Sequence, residues 1–197
     1  MNAIESSRRR NGDGAARLLA AARDLLDTHG ADHVTIRETA RRAGVSHAAP
    51  ANHFADRRAL LSALAAQDFE EMAQLVEAAT DGLPPASLPR ARAMADAVLK
   101  YALRHPHRYR LLWRADQLDI TSAPLNEAME RLYANLLVTI GDDPDSEIEP
   151  STSRSLALWS LVHGYVSLTI DNLFSLQADE RTGAPRLHAM IELLFAD

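Results

Sequence analysis

Residues 35–54 read TIRETARRAGVSHAAPANHF, and this stretch decides what kind of fold the chain builds. Thr35 followed three positions later by Glu38 is a capping box: the Thr hydroxyl accepts from the Glu38 backbone N–H while the Glu carboxylate reaches back. A helix is therefore expected from Ile36. Ala40 and Ala43 are small enough to let another helix approach closely, and Gly44 supplies the left-handed residue that ends the helix. Ser46 is expected to cap a second short helix. Two short helices around a glycine turn form the pattern of a helix-turn-helix, whose second helix enters the major groove of DNA. The same pattern occurs in ordinary helical bundles, so the flanking sequence has to separate the two.

The charge distribution is the first discriminator. The net charge of −6 argues against a nucleic-acid partner when taken whole. Residues 1–58, however, carry ten Arg against seven acidic residues, a net of +3, and residues 59–197 carry eleven basic against twenty acidic residues, a net of −9. A basic head on an acidic body is expected when one end faces phosphate and the other is repelled by it.

Composition narrows the classes further. A chain of 197 residues has room for one large domain, or for a small and a larger one. With no cysteine, disulfides and thiolate metal sites are excluded. No apolar run approaches the roughly 18 residues that span a bilayer. Arg8, Arg9 and Arg10 are followed by Asn11-Gly12-Asp13-Gly14, which lacks the apolar segment of a secretory signal. A cytoplasmic protein with no membrane partner is expected.

Outward from the central stretch, every periodic segment is helical. Residues 1–13 are polar and aperiodic and are expected to form a flexible basic arm, able to order on phosphate or in the minor groove. Ala15, Leu18, Leu19, Ala22, Leu25 and Leu26 fall on one face of a helix over Gly14–His29. Asp56 is the N-cap of a long helix ending near Asp81-Gly82, and roughly 24 residues span about 36 Å. The linker PPASLP at 84–89 ends in a cap at Ser87, followed by helices over Leu88–Arg104, from Pro106, and over Ser122–Ile140. The acidic residues 141–150 read as a surface loop. Leu156, Trp159, His163, Val166, Ile170 and Leu173 recur every three or four residues on a helix of about 22 residues, and a last helix starts near Pro185. The expected architecture is all-α with about nine helices: a flexible arm (1–13), a three-helix helix-turn-helix head (14–58), and a larger helical domain for effector binding and dimerisation (59–197).

From Ala15 to Leu64 the chain resembles the DNA-binding domain of the TetR family of transcriptional regulators. The resemblance rests on the apolar first helix ending at His29-Gly30, on Val34-Thr35-Ile36, on Ala40-x-x-Ala43-Gly44-Val45-Ser46, and on Phe54 ahead of Asp56-Arg57-Arg58-Ala59-Leu60-Leu61. In weaker form, Trp159 with Val162-His163-Gly164, together with Ser46-His47-Ala48-Ala49-Pro50, is similar to one subgroup of that family. The resemblance implies an all-helical homodimer that binds a DNA operator through the head and is released when a small molecule binds in the body.

Candidate site residues follow from these readings. His47, Ala48, Asn52 and His53 are expected on the exposed face of the second helix, with Asn52 the best base reader because its amide can pair two ways with adenine. Thr35, Arg37, Ser46, His53 and Arg57 suit phosphate contact, and Arg57 stands where the family has a Lys. Most members of the family have Leu-Tyr-x-Tyr-Phe where this chain has Pro50-Ala51-Asn52-His53-Phe54. Pro50 is expected to delay the helix start, and Ala51 cannot replace a phosphate-binding hydroxyl, so altered contacts are expected. The residues that can line an effector pocket are Phe69, Met72, Met94, Tyr101, Tyr109, Trp113, Met129, Tyr133, Trp159 and His163, although helical spacing alone accounts for each of them, His163 excepted, as plain core. His163, a titratable group in an apolar seam, needs a hydrogen-bond partner. Val166, Ile170, Leu173, Leu187, Met190 and Leu194 are the expected dimer seam, in which the last two helices pair with their copies.

Enzymatic readings find little support. The chain has no Gly-rich phosphate loop, no His-Glu-x-x-His or His-x-x-x-His helix and no Cys nucleophile, so no catalytic residue and no cofactor are expected. His105 and His107 could hold a metal only with a third ligand, and the acidic loop lacks the glycine of a calcium-binding loop, so no metal is expected either. The competing reading is a dimeric helical interaction module whose degenerate recognition helix no longer reads DNA.

Overall fold

A computed structural model describes residues 3–46, 50–142 and 152–195. The described residues form eight α-helices: α1 (Ala3–His29), α2 (Ile36–Ala43), α3 (Arg57–Thr80), α4 (Leu88–Arg104), α5 (Pro106–Leu112), α6 (Ala123–Ile140), α7 (Thr152–Ile170) and α8 (Arg186–Phe195). Two single 3-10 turns, Ala31–His33 and Pro50–Asn52, complete the helical content, so the all-α reading holds with eight of the nine expected helices. Among the described residues, no helix is long and apolar enough to cross a membrane.

The ninth helix is the recognition helix. Its described part is one 3-10 turn beginning at Pro50, and residues 47–49 lie outside the described residues. Pro50 has no N–H to give to a preceding turn, so the first bonds it permits are those it accepts, from His53 N–H at 2.9 Å and Phe54 N–H at 2.8 Å. The acidic stretch expected as a loop falls largely outside the described residues, with only Gly141 and Asp142 inside them.

Two helix ends differ from expectation. α1 starts at Ala3 rather than near Gly14, so the stretch expected as a flexible arm is helical from Ala3, despite Gly12. α7 stops at Ile170 because Asn172 takes the left-handed conformation, φ 59°, and Leu173 N–H returns to Leu168 O at 2.9 Å. Leu173 therefore leaves the helical seam altogether and is 69% exposed.

The chain divides into two compact units, one made of residues 1–68 with 107–127 and the other of residues 69–106 with 128–197. The division falls within α3, ten residues past the expected boundary at Arg58, and the α5 segment groups with the head. In the first unit, Leu18, Ala22, Leu25 and Leu26 of α1, Val34, Ala40, Leu60, Leu61, Leu64, Tyr109 and Leu111 form the core. Each fully buried large side chain contributes about 1.5–3 kcal/mol. A buried carboxylate lies in the same unit: Asp68, with no exposed side-chain surface, pairs with Arg23 and lies 3.8 Å from the Arg108 guanidinium. Arg108 in turn holds Asp27 of α1 in a two-pronged pair at 2.6 and 2.5 Å.

In the second unit, the buried core is made of Phe69, Met72 and Val76 of α3, Met94, Val98 and Tyr101 of α4, Leu136 of α6, Val162 and Val166 of α7 and Ile191 of α8. Ser87 caps α4 as expected, accepting from Arg90 N–H at 3.3 Å. Arg90 Nη1 donates to the Thr80 and Leu83 carbonyls at 3.0 and 3.2 Å, closing the C-terminal end of α3. His188 of α8 pairs with Asp96 of α4 at 2.9 Å, and Arg131 of α6 with Glu70 and Glu77 of α3.

Asp68→Asn removes the charge that pairs with Arg23 and leaves that arginine partly buried without its counter-ion, while Arg108 keeps Asp27. Breaking a buried pair costs about 3–5 kcal/mol, and for a chain of this size that lowers the unfolding midpoint by roughly 10 °C. Thermal denaturation followed by circular dichroism checks this, and an unchanged midpoint contradicts it.

Candidate nucleic-acid interface

The interface is built from the short-range chemistry of the central stretch. Thr35, in extended conformation, accepts from Glu38 N–H at 3.2 Å and so caps α2 as expected. The second half of the capping box is not made. Glu38 instead receives Arg41 Nε and Nη2 at 2.8 and 2.5 Å, one helical turn along the surface. That pairing lowers the Glu38 carboxyl below the ordinary carboxylate range, with the Arg41 hydrogen bond as the largest cause. Gly44 ends α2 in the left-handed region, φ 65°, and its N–H reaches Arg41 O at 3.2 Å.

α1 holds α2 through arginines as well as through its apolar face. Arg17 Nη2 donates to the Ala43 carbonyl at 2.7 Å, satisfying an orphan acceptor at the C-terminal end of α2. Arg42 pairs with Asp24 of α1. Val34 is fully buried, and Thr39 and Ala40 are buried on the same face of α2. Asp56 caps α3 as expected, accepting from Ala59 N–H at 2.8 Å.

The residues proposed from sequence fall into three groups. Thr35, Arg37, Ser46 and Asn52 are exposed, and Arg37 forms no hydrogen bond or ion pair among the described residues. His47 and Ala48 lie outside the described residues. His53 and Arg57 face inward to differing degrees. His53 is half-buried, and its Nε2 lies so near α1 that a Cβ on Gly14 would stand 2.8 Å from it, so only glycine fits there without displacing the ring.

Arg57 is corrected most clearly. Its Nε donates to Val34 O at 2.7 Å, and its Nη2 to Ala31 O at 2.8 Å and Gln117 Oε1 at 3.1 Å. The guanidinium clamps the chain leading into α2 rather than facing phosphate. Its neighbour Arg58, missed by sequence reasoning, holds the Leu118 carbonyl through Nε and Nη2 at 2.8 and 2.5 Å. Ser62, also missed, accepts from Asp119 N–H at 2.7 Å. Two arginines opening a helix were the available signal.

The ten residues expected to line an effector pocket are divided between the two units. Phe69, Met72, Met94 and Tyr101 are buried in the second unit, while Tyr109 and Trp113 belong to the first, with rings 5.7 Å apart and edge-on. Burial raises the Tyr109 phenol well above its usual range. Met129 is half-buried and Tyr133 is 44% exposed. On α7, Trp159 stacks on His163 with centroids 6.1 Å apart, and His163 Nε2 lies 3.5 Å from Ser167 Oγ. Burial lowers the His163 pKa and so favours the neutral ring. A separate groove of about 390 Å³ lies between α3 and α4 in the second unit, and of the ten expected residues only Tyr101 lines it.

The expected dimer seam is also divided. Val166, Ile170 and Leu187 are buried within the protomer, whereas Met190 and Leu194 are half-buried. Leu156, which opens the apolar repeat of α7, and Leu193 of α8, not singled out from sequence, are 63% and 71% exposed.

A helix, a glycine turn and a following short helical turn, packed on an apolar first helix, define a helix-turn-helix class of DNA-binding head. Residues 18–64 match the bacterial regulatory proteins of the tetR family, and residues 91–194 match the Tetracyclin repressor-like C-terminal domain. The chain belongs to the TetR family and is a DNA-binding transcriptional regulator. Among solved structures, a protein of unknown function from Rhodococcus sp. RHA1 is 26% identical with a TM-score of 0.72, over 92% of this chain and 93% of that one. A TetR transcriptional regulator from the same organism is 19% identical with a TM-score of 0.62, over 96% and 98%. A TetR family transcription regulator from Marinobacter aquaeolei VT8 is 13% identical with a TM-score of 0.65, over 95% and 96%. No curated protein sequence matches the chain.

Two arginines therefore separate by role. Arg37→Ala weakens binding to all duplexes alike and reduces the slope of log K against log salt by about one. Arg57→Ala lowers the unfolding midpoint by several degrees and makes the head easier to digest with protease. An Arg57→Ala protein of unchanged midpoint, or an Arg37→Ala protein of unchanged salt slope, contradicts the assignment.

Proposed function

We propose that the chain is a cytoplasmic repressor that binds a palindromic operator as a two-fold dimer and lets go when a small molecule binds in its second unit. The observation that carries this reading is the α2 arrangement. Thr35 and Gly44 fix the two ends of the helix, Arg17 and Arg42 hold it on α1, and Thr35, Arg37, Ser46 and Asn52 are left open to solvent. In this reading Thr35, Arg37 and Ser46 meet phosphates, Asn52 reads a base edge, and His47 and Ala48 belong to the same surface. The flank upstream of Gly14 adds basic charge at the duplex. The acidic body, with twenty acidic residues beyond Arg58, is repelled from the duplex and keeps the basic head toward it.

Dimerisation is supported by Leu156 and Leu193, large apolar side chains left open on the last two helices, with Met190 and Leu194 half-covered beside them. An isologous pairing of these helices covers both. The second reading, an interaction module that has lost DNA recognition, draws on the single 3-10 turn that starts at Pro50.

Fluorescence anisotropy with a duplex from upstream of its own gene, against a scrambled duplex, decides between them. The repressor reading expects a salt-sensitive preference for the upstream duplex, reduced roughly 5- to 150-fold by Asn52→Ala while scrambled-duplex binding is unchanged. The double variant Leu156→Asp, Leu193→Asp is expected to run as a monomer in light scattering and to lose the preference. Equal affinity for both duplexes favours the interaction module, and a variant that stays dimeric removes these helices from the interface.

A further inference from the structure

We infer that the groove between α3 and α4 binds an amphipathic monoanion, a carboxylate carried on an unbranched aliphatic body. The inference gives a place and a ligand class to the effector reading above and rests on that reading for its consequence at DNA, though not for binding itself.

Glu71, Leu75 and Ala79 of α3 line one side of the groove, and Ala93, Ala97, Lys100, Tyr101 and Arg104 of α4 line the other. Ala79, Ala93 and Ala97 carry side chains too short to close the space. The remaining volume, about 390 Å³, is within the range of small-molecule sites. From Ala93 to Arg104 the groove runs about 16 Å along the helix, enough for an extended chain of medium length. Leu75, 41% exposed, gives its apolar stretch a large side chain open to water.

The charge at one end selects the head group. The chain has twenty arginines and a single lysine, and that lysine is Lys100, in this groove. Across the described residues Arg23, Arg41, Arg42, Arg92, Arg108, Arg114 and Arg131 all sit in ion pairs. Lys100 and Arg104 are exposed and sit in none, and they also make no hydrogen bond among the described residues. Neither carboxylate of the groove forms an ion pair with them: Asp96 is held by His188 Nε2 at 2.9 Å, and Glu71 has an interaction of its own. The groove therefore offers two cations outside any ion pair next to a shallow apolar trough, complementary to a carboxylate with an alkyl tail. A neutral amphiphile leaves the cations unmatched, and a small anion leaves the trough open.

Because the chain has one lysine, its acetylation rate can be read by acetylating the full-length protein and following the Lys100-bearing peptide by mass spectrometry after digestion, apart from the α-amino group. Decanoate, below its micelle concentration, is the probe, with decanol and acetate as comparisons. Decanoate is expected to slow acetylation of Lys100 at least fivefold while decanol and acetate do not. Titration calorimetry is expected to show decanoate binding reduced tenfold or more in Lys100→Gln, in Arg104→Gln, and in Ala97→Leu, which fills the trough, each with an unchanged unfolding midpoint. Equal protection by acetate or by decanol, or full decanoate affinity in the Ala97→Leu protein, overturns the inference. Decanoate that binds wild type and weakens operator binding supports both readings. Decanoate that binds but leaves the operator complex intact supports the groove and counts against effector release through it. No decanoate binding by a protein that still binds its operator overturns the groove alone.

Discussion

The head depends on what happens to two backbone carbonyls. Ala31 and Val34 close a 3-10 turn ahead of α2, in which Val34 N–H reaches the Ala31 carbonyl at 3.0 Å. A buried carbonyl short of donors is costly, and Arg57 donates to the Val34 carbonyl and adds a second donor to that of Ala31 from one guanidinium, while also taking Gln117. A planar fork with five donors suits this work, whereas a lysine would make one contact at a time. The start of α2 is thereby tied to the start of α3. Arg58 and Ser62 then extend the same tie to Leu118 and Asp119, which explains why the α5 segment belongs to the head's unit.

Seen this way, the arginines near the helix-turn-helix divide by what their guanidinium groups already hold. Arg17 closes the end of α2, Arg41 pairs with Glu38, Arg42 with Asp24, and Arg57 and Arg58 grip carbonyls. Arg37 is left exposed without a partner among the described residues. The +3 charge of the first 58 residues is therefore a poor count of phosphate contacts, because most of the positive groups near α2 are engaged within the protein. Their field still acts at long range, but the short charge-assisted bonds that hold a phosphate require an uncommitted donor.

Much of the fold was legible because local rules were obeyed. The caps at Thr35, Asp56 and Ser87 and the stop at Gly44 stand where their side chains and backbone freedom require them. The misses have separate physical causes. Periodicity cannot place the start of α1, since a polar stretch that holds Gly12 carries no apolar stripe whether it is helical or not. The seam on α7 continued past Ile170 on paper, but Asn172 accepts a left-handed turn that the spacing rule does not register. The inward role of Arg57 depends on carbonyls more than twenty residues away, a long-range match that position in a motif conceals. The body was read from its large aromatic side chains, of which Phe69, Tyr101 and Tyr109 are buried in the core. The groove comes instead from Ala79, Ala93 and Ala97, where volume is missing, and a search for large residues passes over it.

Amide hydrogen exchange of the full chain, free and bound to a duplex from upstream of its own gene, tests most directly which surface meets DNA. Slower exchange is expected over Thr35–Arg37 and Ser46–Asn52, with the amides of α7 and α8 at their free-state rates. Slowing confined to the acidic second unit, or no difference anywhere in the first, would contradict the assignment of α2 and its following turn as the DNA-facing surface.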